Sequence, residues 1–94
     1  MAANKMRFYR ITQGLLLKSI AYTTGLSEGH LSRLENGDKQ PSKAAMESIA
    51  KALNRTVQEV FYDDYTNDDK TLLAKCGYQL TDDGFIVKAV KEGG

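Results

Sequence analysis

Between Leu17 and Asn36 the chain sets a small residue, Ala21, four positions ahead of Gly25, and follows that glycine with Ser27, Leu31 and Leu34. Few folds accommodate this spacing. Leu16, Leu17, Ile20, Ala21 and Thr24 recur at helical intervals, and Gly25 tolerates the positive φ of a tight turn. Ser27 can cap a further helix by accepting from the backbone N–H of Gly29 or His30, which puts Leu31 and Leu34 on one face. Two helices so joined meet near a right angle, and only a small side chain fits where they approach most closely. Ala21 occupies that point, and Ile20, Leu26, Leu31 and Leu34 bury the inner faces. The outer face of the helix over 27–36 is left to project.

Periodicity extends the helical reading on both sides. Met6, Tyr9 (or Phe8) and Ile11 predict a helix over 4–13 that stops at Gly14. Ser42 caps a helix whose core face is Ala45, Met46, Ile49, Ala50 and Leu53, the clearest amphipathic stretch of the chain. Thr56 and Glu59 have the spacing of a reciprocal cap for a fifth helix carrying Val57, Val60 and Phe61. Beyond Phe61 the character changes. Residues 62–70 are polar and acidic, which reads as a solvated linker, and Thr71 to Cys76 add a helical turn. Tyr78 to Thr81 and Phe85 to Val90 flank Asp82-Asp83-Gly84, a three-residue hairpin loop with glycine at the left-handed position. The final Glu92-Gly93-Gly94 is expected to fray. The expected class is mainly α: a five-helix domain over 4–61, a linker over 62–70, and an appendage over 71–91 with a β-hairpin as its candidate structure.

At 94 residues and 41% hydrophobic content, the chain supports one core and no second of similar size. Its net charge of +1 hides a division: residues 1–61 hold nine Lys and Arg against five Asp and Glu, and residues 62–94 hold four against seven. A basic front and an acidic back fit a surface for nucleic acid followed by a segment that stays off the phosphates. No apolar run spans a bilayer, and Met1 to Tyr9 lack the stretch of a secretion signal, so a cytoplasmic protein is expected. One cysteine, Cys76, and one histidine, His30, make neither a disulfide nor a zinc site. Asp63-Asp64 and Asp68-Asp69 lack the alternating oxygens and terminal Glu of a calcium loop. With no glycine-rich phosphate loop, no second histidine and no nucleophile beside a base, the chain reads as no enzyme, without catalytic residues, metal or cofactor.

Gly25-Leu26-Ser27, Leu31-Ser32-Arg33-Leu34-Glu35-Asn36-Gly37, Pro41-Ser42 and Ile49-Ala50-Lys51-Ala52-Leu53, in this order and spacing, resemble the Cro and lambda-repressor (XRE-type) helix-turn-helix family over residues 4–61. The resemblance stops at Phe61. The resemblance implies a lambda-repressor-like fold whose third helix enters the major groove of double-stranded DNA, with base contacts from Glu28, Gly29, His30 and Arg33. Side-chain chemistry agrees for most of these. Arg33 can donate twice to guanine, Glu28 can accept from cytosine N4, His30 can donate or accept, and Gly29 offers only backbone. Phosphate positioning falls to Lys18, Ser27, Ser32, Asn36 and Lys39, helped by helix N-terminal amides. The resemblance also implies an ion pair between Arg10 and Glu35. One departure stands out: the family usually begins the second helix with threonine and glutamine, and this chain has Leu16 and Leu17, which removes a polar anchor for the DNA backbone.

The function so implied is a sequence-specific transcriptional regulator, with repression the expected sign. Two alternatives stay open: an antitoxin that binds its own promoter and takes a protein partner through residues 62–94, and an adaptor that uses the motif for protein contacts alone. A homodimer is expected, because one recognition helix reads too few base pairs for useful specificity. In the hairpin Leu80 faces Ile86, while Phe85 and Val87 occupy the other face, so both faces are apolar and need cover. Folding back onto Leu17 and the fifth helix would supply it. Pairing of the hairpin's edge with a second chain, the favoured reading, would make residues 71–90 the dimer interface.

Overall fold

The computed structural model describes residues 4–89, so Val90 and the Glu92-Gly93-Gly94 end lie outside the described residues. Five α-helices, a π-helical turn and one hairpin come in order: α1 (Met6–Thr12), α2 (Leu17–Thr24), α3 (Glu28–Glu35), α4 (Lys43–Ala52), the π turn (Gln58–Tyr62), α5 (Asn67–Lys75), β1 (Tyr78–Leu80) and β2 (Ile86–Lys88). The caps read from sequence are in place. Ser27 and Ser42 accept from the amides of His30 and Ala45, each at 3.1 Å. Thr56 and Glu59 cap reciprocally, at 2.9 and 3.1 Å. That cap opens a π turn instead of an α-helix, because the box sets where the turn begins and leaves its hydrogen-bond pitch to packing.

The core is one cluster. Leu31, Leu34, Ile49 and Val60 are fully buried, with Met6, Phe8, Ile20 and Leu53 around them. Helix α2 packs on both α3 and α4, and Gly25 ends it in the left-handed region at φ 77°. Ala21 lies half-buried against the cluster. Leucine at this position is expected to overpack the junction and lower stability by roughly 1 to 3 kcal/mol. Thermal unfolding of Ala21→Leu checks this, and a melting temperature equal to wild type would refute the close approach.

The second half of the expected linker is helical. Thr66 accepts from the amide of Asp69 at 3.1 Å and Asp69 accepts in return from the Thr66 amide at 2.9 Å, so α5 starts at Asn67, before the helical turn placed at Thr71. This is the same reciprocal cap as Thr56 and Glu59, with a shorter acid. Helix α5 also sends Leu73, fully buried, into the common core, which therefore does not end at Phe61.

Two basic side chains of the first helix region hold this tail. Lys5 is 4% exposed; its Nζ lies 2.7 Å from Asp69 Oδ2 and 5.3 to 5.4 Å from the ring centres of Phe8, Tyr9 and Tyr65. Arg7 Nη1 donates to the Ile86 carbonyl at 3.0 Å. The hairpin pairs Tyr78 with Lys88, Gln79 with Val87 and Leu80 with Ile86, and Gly84 takes its left-handed turn at φ 87°. One face is covered by folding back, and the polar contacts holding it run to α1 instead of to Leu17. Ile86 is 5% exposed, whereas Phe85 and Val87 on the opposite face are 37% and 39% exposed. No helix of the described residues is long and apolar enough to cross a membrane.

Candidate nucleic-acid interface

Helix α3 divides cleanly by burial. Leu31, Leu34 and Glu35 turn inward, while Glu28, Gly29 and Arg33 are exposed and Ser32 is half-buried. At about 100° per residue, positions 28, 29, 32, 33 and 36 share one side of the helix and 31, 34 and 35 share the other. His30 stands at the margin between them, half-buried. The expected base-reading residues and Ser27, Ser32 and Asn36 thus belong to a single element, with Ser27 as its N-cap and Asn36 as its C-cap. Lys18, in the first turn of α2, and Lys39, beyond α3, come from neighbouring elements and are exposed.

The back of α3 is tied at several points. Arg10 grips Glu35 with two bonds, Nε to Oε2 at 2.7 Å and Nη2 to Oε1 at 3.2 Å, the pairing that the resemblance implied. Both side chains are largely buried, at 17% and 6% exposure. Asn4 Nδ2 donates to the Leu34 carbonyl at 2.8 Å, and a small cleft lined by Arg7, Glu35, Asn36, Phe85 and Ile86 shows that the hairpin's turn reaches the C-terminal end of α3. Fixing a helix from behind leaves its outer side chains aimed without a folding cost at binding.

The beginning of α2 departs as the sequence indicated. Leu16 precedes the helix 67% exposed, without a side-chain cap, and Leu17 packs half-buried against the core. The free amides there remain, and the polar side chain does not. A residue passed over in sequence is Tyr22, 92% exposed and one turn from Lys18 on the outer face of α2. Helical spacing from Lys18 was the available signal. Lys39 has a mixed setting, since the open groove it lines includes Asp63 and Asp64. Their carboxylates offset part of its positive potential.

A model of the helix-turn-helix family matches residues 6–60. The chain is 38% identical over 56 residues to the competence pilus inhibition repressor of Acinetobacter baylyi, an alignment covering 60% of this chain and 51% of that protein. It therefore spans about half the length of that curated relative. Among solved structures, the restriction-modification controller protein C.AhdI from Aeromonas hydrophila superposes with a TM-score of 0.58 at 26% identity, over 61% of this chain and 86% of that one. The clp gene regulator ClgR from C. glutamicum gives a TM-score of 0.55 at 33% identity, over 57% and 70% of the two chains.

Proposed function

The chain belongs to the Cro and lambda-repressor-like (XRE-type) helix-turn-helix family, and from that premise we propose that it is a DNA-binding transcriptional regulator, a repressor reading its operator as a cytoplasmic homodimer. The observation that carries this reading is the outer stripe of α3. It presents Glu28, Gly29 and Arg33 to solvent on a helix clamped from behind by Arg10 and Asn4. Arg33 makes no ion pair among the described residues, so its guanidinium is free to donate to guanine O6 and N7. Glu28 and His30 read neighbouring bases, Gly29 lets the backbone come close, and Ser27, Ser32, Asn36, Lys18 and Lys39 set the register on phosphates. Tyr22 joins the contacts at the α2 side. Two copies place two such helices about one DNA turn apart, and occupancy of the site keeps transcription from starting.

Arg33→Ala is expected to weaken binding by about 1 to 3 kcal/mol and to relax sequence preference at one position, whereas Lys39→Ala weakens every duplex alike. Titration against duplexes selected from a random pool and their scrambled counterparts checks both. Unaltered discrimination by Arg33→Ala would remove the residue from the readout, and failure of the wild type to bind any duplex at low salt would remove the function.

A further inference from the structure

We propose that the outer edge of β1 is the seam along which two copies of this chain join, forming one continuous four-stranded antiparallel sheet. The inference rests on the proposed homodimer and says where the copies meet. Thr81 N–H donates to the Phe85 carbonyl at 2.8 Å and Ala89 N–H to the Gly77 carbonyl at 3.0 Å. Opposed residues of an antiparallel pair alternate between hydrogen-bonded and non-bonded. Residues 77, 79 and 81 therefore turn their backbone groups into the hairpin, and Tyr78 and Leu80 turn theirs outward. On β2 the outward residues are Ile86 and Lys88.

The two edges differ. On β2 the Arg7 guanidinium occupies the Ile86 carbonyl, and Lys88 adds a charge, which are two ways of blunting a strand edge. On β1, among the described residues, no hydrogen-bond partner meets the outward groups of Tyr78 and Leu80, and residues 77–81 contain neither charge nor proline. Such an edge is a template for another strand.

Charge and register select the second copy as that strand. An antiparallel pairing centred on Gln79 sets Tyr78 of each copy against Leu80 of the other and uses every outward group of both residues. Moving the centre to Tyr78 or Leu80 leaves one of them opposite a turn. Antiparallel pairing also brings the end of β1 next to Lys75 against the other copy's Asp82 and Asp83, all exposed. A parallel pairing would set like charges together. Phe85 and Val87 share the face of Gln79, so the joined sheet carries the exposed apolar side chains of both hairpins on one face, in the strands that flank the seam. Two marginal ribbons become a sheet of ordinary size.

Disulfide trapping in the full chain, with Cys76→Ser as background, tests the seam. Gln79→Cys places a thiol opposite its own copy at a Cα separation of about 4.5 Å, within disulfide reach. Mild oxidation should convert it to a reducible dimer, while Val87→Cys, one strand further from the seam on each side, stays single. Gln79→Lys sets like charges face to face and should shift the sedimenting mass from two chains to one with an unchanged circular dichroism spectrum. If the wild type sediments as a dimer but Gln79→Cys crosslinks no faster than Val87→Cys, or Gln79→Lys stays dimeric, the β1 seam is overturned and the homodimer stands. A wild type that remains a monomer while saturating duplex DNA overturns both.

Discussion

Asp69→Ala is expected to destabilise the protein by about 3 to 5 kcal/mol, the cost of leaving a buried charge without its partner. The charge is Lys5, whose side chain is 6% exposed and whose Nζ sits 2.7 Å from Asp69 Oδ2. The faces of Phe8, Tyr9 and Tyr65 enclose it, and the nearest other acceptor is the Asp64 carbonyl at 3.5 Å. Ring faces attract an ammonium by about 0.5 to 2 kcal/mol each at best, too little to replace a carboxylate and the lost water. The same substitution also removes half of the α5 cap. Lys5→Met on the Asp69→Ala background keeps the volume and deletes the charge, and should restore most of the loss. Urea unfolding of the three proteins measures it, and a double variant no more stable than Asp69→Ala would show that the charge is not the source.

The pair also sets a pH dependence. Burial by itself raises the Asp69 carboxyl, but the hydrogen bonds from Lys5 and from the Thr66 amide, with the Lys5 charge, outweigh it and hold the group below its ordinary 3.8. A depressed value means stability that is present above the ordinary pKa and is lost as pH falls through the folded one. Stability should therefore drop below about pH 3.8, and the drop should flatten in Asp69→Asn. The Tyr65 hydroxyl, pushed up by burial and by the Asp69 charge, stays protonated throughout and points to the Asn4 carbonyl at 3.4 Å.

Arg10→Ala should cost about 3 to 5 kcal/mol, and Glu35→Ala clearly less, although both break the same ion pair. The asymmetry comes from what each leaves behind. In the intact pair Glu35 is the more deeply buried, at 6% exposure, and Arg10 is its cation; Arg10, at 17% exposure, has a second acceptor in the Leu15 carbonyl at 3.4 Å and lies closer to water. Glu35→Gln on the Arg10→Ala background neutralises the stranded group and should recover part of the loss. Because Glu35 is the last residue of α3, duplex affinity of Arg10→Ala should fall even where the protein is still folded. Equal losses for the two single variants would mean that burial of the carboxylate is not the dominant cost.

Much of this architecture was legible in the sequence. Side-chain periodicity and caps act within a few residues, so Ser27 and Ser42 marked helix starts correctly, the Thr56–Glu59 box marked where a turn begins, and burial of Leu31 and Leu34 fixed the outward stripe at Glu28, Gly29 and Arg33. Gly84 marked the hairpin turn for the same local reason. Arg10 and Glu35 were paired through family resemblance, since no helical spacing links residues 25 apart. The π turn escaped, because its pitch answers to packing. Thr66 and Asp69 carried a readable cap, but the surrounding acids gave the segment the look of a solvated linker.

Lys5 illustrates the limit best. Its partner lies 64 positions away in a stretch read as linker. Nothing in the local pattern joins them; burial among Phe8, Tyr9 and Tyr65 does, and so makes an electrostatic tie from two ordinary charges. The hairpin obeys the same rule. Alternation of side chains established that it had two apolar faces, a property of the strands alone, whereas the face that is covered and the edge that is blunted depend on Arg7 reaching Ile86 across the fold. Local chemistry is set by neighbours along the chain, and the choice among docked arrangements is set by contacts whose partners the chain order does not reveal.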